Sequence, residues 1–199
     1  TSGGSGFGIM AIPVGIERGF ITRQQGRDRI LKIVNFLMND DTDRFHGAWS
    51  HWINGDTGSV IPFSVVDDGA DLVETALLVQ GLLTVKEYFD QSNAPEIEIR
   101  TKIQTLWEGV QWDYFKREDT DYLTWHWSPN HGWDKGLGIQ GWNEGMITYI
   151  LGIASPTHSI SPSLYHTGWA RNGDFKSGEM YNGITLPLGT DNGGPLFLT

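Results

Sequence analysis

Cysteine is absent from the 199 residues, which excludes disulfides and thiolate metal sites and fits a cytosolic or a bacterial secreted protein equally well. Positive charge is scarce. Fourteen Lys and Arg against 24 Asp and Glu give a formal charge of −10 and a pI near 4.9. Nucleic acid demands a basic patch, so this balance argues against such a partner and for a neutral or cationic ligand. No apolar run reaches the roughly 18 residues of a membrane span. The chain opens on Thr1 without a signal-peptide pattern and stops at Thr199 in an apolar stretch, so it reads as part of a longer protein.

What is abundant is unusual. With 39% hydrophobic and 19% charged residues the chain should be globular, yet it also carries nine Trp, six Tyr, nine Phe and 26 Gly. Most of the Trp lie in segments that read as loops, and aromatic loops suggest a sugar site.

Hydrophobic spacing lays out five helices. Thr1 to Gly8 is glycine-rich and reads as a linker or as tightly packed backbone. Phe7 to Phe20 has helical apolar spacing, with Pro13 expected early or at a kink. Thr22 is a candidate N-cap for an amphipathic helix with Ile30, Ile33, Val34 and Leu37 on one face. A short strand pair is expected around Asn54-Gly55. Val66 to Phe89 is apolar nearly all round and should be buried. Asn93 to Pro95 then opens a second amphipathic helix through Ile99, Ile103, Leu106 and Val110. Leu137 to Ala154 reads as another buried helix, ended by Ser155-Pro156, with loops and a possible edge pair at Ile184 to Pro187 beyond it. Inner and outer helices thus alternate, as in a toroid of helical hairpins.

Asp67, Asp71 and Glu74, spaced i, i+4, i+7 on the buried helix, would share one stripe. Helix-start chemistry explains such acids as well as catalysis does, because an N-cap Asp and first-turn carboxylates complement the macrodipole. Glu144 stands near the start of the last helix, where the same two readings apply. Between these helices lie Trp49 and Trp52 in one loop and Trp125, His126, Trp127, His131 and Trp133 in another. The rings can stack on sugar faces or pack over the loops. No paired histidine spacing for a metal, phosphate loop or nucleophile elbow is present, so neither metal nor cofactor is expected.

The blocks FHGAWSHWINGDTG, DDGADLVETALLVQGLL, YLTWHWSPNHGW, GWNEGMITYILGIASPTH and LPLGTDNGGPLF together resemble the bacterial glucoamylase-like family, which includes endo-β-1,2-glucanases and the related domain of cyclic β-1,2-glucan synthases. The resemblance implies a mainly α fold, about half of an (α/α)6 toroid of helical hairpins with long aromatic loops and a few short strands. It also implies a single catalytic domain over residues 1–199. The family's Asp-x3-Asp-x2-Glu and Trp-Asn-Glu motifs place its candidate catalytic acids on Asp67, Asp71, Glu74 and Glu144. Trp49, Trp52, Trp125, Trp127, Trp133, Trp142, His126, His131 and Asn143 become the candidate sugar contacts.

The implied reaction is glycoside hydrolysis of β-1,2-glucan, with inversion, in which one carboxylic acid protonates the leaving oxygen and a carboxylate activates water. Glu144 is the candidate acid; Asp71 and Glu74 are candidates for the base or for binding hydroxyls. Clustered carboxylates and indole rings should raise the pKa of one member. The partner is a glucan, the protein is expected to be a monomer, and the substrate class suggests a periplasmic or secreted location. An α-glucan glucoamylase, a transglycosylase of the cyclic-glucan type and a non-catalytic carbohydrate-binding protein are the alternatives.

Overall fold

A computed structural model describes residues 1–141, 143–174, 178 and 180–185. Among the described residues five α-helices dominate: α1 (Ser2–Glu17), α2 (Arg23–Met38), α3 (Leu72–Tyr88), α4 (Ala94–Glu108) and α5 (Met146–Ala154). Three two-residue antiparallel pairs join the loops: β1 (Trp52–Ile53) with β2 (Val60–Ile61), β3 (Ala70–Asp71) with β4 (His126–Trp127), and β5 (Met180–Tyr181) with β6 (Ile184–Thr185). Among the described residues no helix is long and apolar enough to cross a membrane.

The centre of the fold is α3. Leu72, Val73, Ala76, Leu77, Leu78, Val79, Leu82 and Val85 are all buried, because α1, α4 and α5 each pack against it. Its contact with α1 is backbone on backbone. A Cβ on Gly6 would lie 2.2 Å from the Leu77 carbonyl oxygen, and one on Gly81 would lie 2.3 Å from that of Gly6. The glycines at the start of the chain therefore belong to a helix, which begins at Ser2 rather than Phe7 with Thr1 as its cap. Pro13 sits well inside α1, where its ring deprives the Ile9 carbonyl of its usual donor.

The outer helices follow their sequence signals closely. Thr22 and Gln25 form a reciprocal capping box on α2, with bonds of 3.2 and 2.8 Å. Asn93 caps α4 by accepting from the Glu96 amide. The Arg23 guanidinium ties the two together, donating to both oxygens of Glu96 at 3.0 and 2.8 Å and to the Tyr88 carbonyl.

Three expectations shift. The buried helix starts at Leu72, so Asp71 is its cap and Asp67 precedes it in a Ser64–Asp67 turn; only Glu74 is helical. The last helix starts at Met146 rather than Leu137, because Gly136 and Gly141 take positive φ of 60° and 80° and break any continuous helix there. The terminal strand pair involves Ile184 and Thr185, while Leu186 and Pro187 lie outside the described residues.

The N-termini of all three inner helices meet at one end of the molecule. At α1, the Ser2 amide donates to the His51 carbonyl and the Gly3 amide to the Glu74 carboxylate. At α5, a Cβ on Gly145 would come within 3.7 Å of Val73 in the first turn of α3. The inner helices therefore point the same way, and α2 and α4 return the chain between them.

Candidate active site

The converging N-termini gather the sequence's acids. Asp71 is fully buried and its two oxygens meet four donors. Oδ1 accepts from the Glu74 amide at 2.9 Å and from the Trp125 indole at 2.9 Å. Oδ2 lies 3.0 Å from His51 Nδ1 and 3.2 Å from His126 Nε2. The backbone locks this arrangement: the Asp71 amide donates to Trp49, the Leu72 amide donates to Trp125, and Asp71 pairs with His126 across β3 and β4.

Burial alone would push the Asp71 carboxyl up, but the donors from His126 and His51 reverse that and hold it below its ordinary value. In return the Asp71 carboxylate raises the His51 imidazole, against the opposing effect of burial. The expected raised-pKa acid is therefore not Asp71. With every lone pair engaged, this carboxylate is an anchor, ill suited to receive a proton from water.

Asp67 is 4% exposed. Its Oδ2 lies 3.1 Å from His126 Nε2 and 3.5 Å from Lys135 Nζ. One buried imidazole thus bridges two buried carboxylates, while its Nδ1 has no hydrogen-bond partner among the described residues. Such a group is a structural clamp, which corrects its assignment as a sugar contact: His126 is 6% exposed and faces the acids.

Glu74 is half-buried. Its Oε2 accepts from Gly3 at 2.8 Å, and a Cβ at Gly3 would crowd that oxygen at 2.9 Å. Gly3 is therefore needed to let the carboxylate reach the N-terminus of α1, where the amide and helix dipole hold a negative charge in place. Its other oxygen, Oε1, is unengaged among the described residues. Glu144 is also half-buried, in the turn before α5 rather than in its first turn, and none of the described residues bonds its carboxylate. Gly145 beside it packs on Val73, next to Glu74 in sequence, which brings Glu144 to the same end of α3 as the other three acids.

The aromatic residues divide. Trp49 is completely buried, its amide bonded to Thr75 Oγ1, and it belongs to the core rather than to a sugar platform. Trp127 and Trp133 are half-buried in a ring cluster with Tyr114, whose centroid lies 6.1 and 5.4 Å from theirs. Trp125 is half-buried and stacks along His126 at 10°. Trp52 is exposed. His131 is half-buried in a tight turn where its amide donates to Ser128 Oγ. The Asn143 amide side chain is spent on its own turn, donating to Gln140 and accepting from Gly145. Trp142 lies outside the described residues.

Sequence spacing missed Lys135 and Phe63, and it pairs neither His51 nor Lys135 with an acid: the bond from the Asp71 amide to the Trp49 carbonyl brings the His51 loop to the cluster, and Lys135 lies in the loop after β4.

Residues 136–199 match the sequence model of the family described as "Putative glucoamylase". Across 99% of its length the chain is 47% identical to an exo β-1,2-glucooligosaccharide sophorohydrolase (non-reducing end) of Parabacteroides distasonis, covering 30% of that protein. The crystal structure of a putative glucoamylase from Bacteroides uniformis superposes with a TM-score of 0.93 at 53% identity, over 98% of this chain and 48% of the other. The endo-β-1,2-glucanase of Chitinophaga pinensis, in complex with sophorotriose and glucose, gives 0.90 at 49% identity, over 96% and 45%. The chain thus spans less than half the length of these relatives. Residues 136–199 carry the glucoamylase-like family match, and over nearly its whole length the chain is similar to these glucan hydrolases.

Proposed function

We propose that this chain carries one side of the active site of a glycoside hydrolase that cleaves β-1,2-linked glucan. The observation that carries the reading is that Glu144, half-buried and with no bond to its carboxylate among the described residues, stands at the same end of α3 as Asp67, Asp71 and Glu74, where the inner helices begin. The identity to β-1,2-glucan hydrolases along nearly the whole chain supports the linkage.

Glu144 donates the proton to the leaving glycosidic oxygen. Glu74 keeps Oε1 unengaged among the described residues, and it activates the water or holds the sugar hydroxyls beside it. Asp71 and Asp67 do neither directly; clamped by His51, His126 and Lys135, they fix the loops that carry Trp52 and Trp125. The positive charge that develops on the ring at the transition state finds a surplus of carboxylates around it. The alternation of inner α1, α3 and α5 with outer α2 and α4 supports the reading of the chain as part of an (α/α)6 toroid. The protein works as a monomer in the periplasm or outside the cell, where a polymeric glucan is met.

Incubation of the full-length protein with β-1,2-glucan and, separately, with starch, followed by a reducing-end assay and product sizing, tests the reading. Short β-1,2-gluco-oligosaccharides from the first and nothing from the second are expected. Release from starch alone, or cyclic or lengthened products, would contradict it.

A further inference from the structure

Next to the His51–Asp71 pair stands an aromatic step that neither the core nor the acid cluster explains. Trp52 and Phe63 are 38% and 48% exposed, with ring centroids 5.0 Å apart and planes inclined at 52°. Both touch the His51 ring, at 5.6 and 4.6 Å. The backbone fixes them. Trp52 pairs with Ile61 across β1 and β2, and the Phe63 amide donates to the Asp67 carbonyl at 2.9 Å, closing the turn that presents the ring. Two large rings held half out of a folded surface leave apolar area that burial under a ligand would cover.

The edge of the step is polar. Lys135 Nζ lies 6.0 Å from the Phe63 ring centre and 3.5 Å from Asp67. His51 commits Nδ1 to Asp71, and its Nε2 meets no partner among the described residues, on a side chain that is 25% exposed. A pyranose needs this combination: its C–H face lies on a flat ring while hydroxyls at its rim meet donors. A purely apolar partner would strand the lysine and the imidazole, and the acid cluster a few ångströms away already faces a sugar under the proposed function.

We infer that Trp52, Phe63, His51 and Lys135 form a subsite for one glucosyl unit of the β-glucan, with the sugar face on the two rings and its hydroxyls on His51 Nε2 and Lys135 Nζ. The inference rests on the hydrolase reading above. A subsite that holds a sugar without touching the bond being broken contributes uniform binding, so its loss raises KM and spares kcat.

The test is steady-state kinetics of the full-length protein on β-1,2-gluco-oligosaccharides of increasing length, with thermal unfolding as a folding check. Phe63→Leu, which keeps apolar bulk and loses the flat face, should raise KM about tenfold for the longer oligosaccharides, a loss of about 1.4 kcal/mol, with kcat within about threefold. Phe63→Tyr keeps the face and should retain wild-type KM; Trp52→Leu should behave as Phe63→Leu. An active wild type whose Phe63→Leu and Trp52→Leu variants keep wild-type KM overturns the subsite and leaves the hydrolase reading standing. A wild type that neither binds nor cleaves the oligosaccharides overturns both.

Discussion

Removing the Asp71 carboxylate should unfold the site from its centre. In Asp71→Ala the Trp125 indole and the Glu74 amide lose their acceptor, and the two imidazoles lose the anion that faces them. Each buried group left unpaired costs about 1–3 kcal/mol. Their sum is an overestimate because water can enter beside the partly exposed His51, so the figure for breaking a buried ion pair, about 3–5 kcal/mol, is the better guide. In a domain of this size a kilocalorie corresponds to about 2–4 °C, which gives a fall in Tm of about 6–20 °C.

A second readout is independent of stability. Asp71 raises the His51 pKa, so the pair stabilises the fold below the unfolded pKa of His51, and that contribution fades as pH rises through the folded value. In the variant the His51 pKa should drop towards its ordinary 6.5, measurable by NMR titration of the ring protons. A Tm loss under about 3 °C together with an unmoved His51 would refute the anchor role.

Gly6→Ala should destabilise the protein by at least about 1–3 kcal/mol, because its methyl would meet the Leu77 carbonyl and α1 and α3 would have to separate; denaturant unfolding measures it, and a neutral effect would contradict the backbone contact. The Arg23–Glu96 link should govern acid stability. Hydrogen bonds from Arg23 hold Glu96 down at about 2 against an ordinary 4.5, so its contribution, at most about 3 kcal/mol, is present above pH 4.5 and lost as pH falls towards 2. Arg23→Met should flatten that part of the stability profile, which urea titrations at pH 7 and pH 3 would show.

The helices were legible in the sequence wherever local chemistry decides them. Thr22 as the cap of α2, Asn93 before Pro95, and the apolar faces of α2 and α4 lie where spacing places them. Glycine reads two ways, and the tight packing expected as one alternative at the start of the chain is the one found. At Gly3 and Gly6 it serves close helix contact and not flexibility, so α1 starts earlier than its composition suggests, whereas at Gly136 and Gly141 it supports backbone conformations that no helix continues.

For the acids, spacing yields a single stripe because it assumes a continuous helix from Val66; with Asp71 as the cap, Asp67 sits in the preceding turn and only Glu74 is helical. The imidazoles explain what periodicity could not. A buried carboxylate needs partners, and here they come from 20 and 55 residues away through loops whose pairing is purely tertiary.

Glu144→Gln tests the central claim most directly, because this carboxylate bonds nothing among the described residues and its loss should leave the fold intact. In the full-length protein acting on β-1,2-glucan, the variant should retain its Tm and its affinity for oligosaccharide while kcat falls by about 10²–10⁴. A turnover within a few-fold of wild type would show that the proton comes from elsewhere.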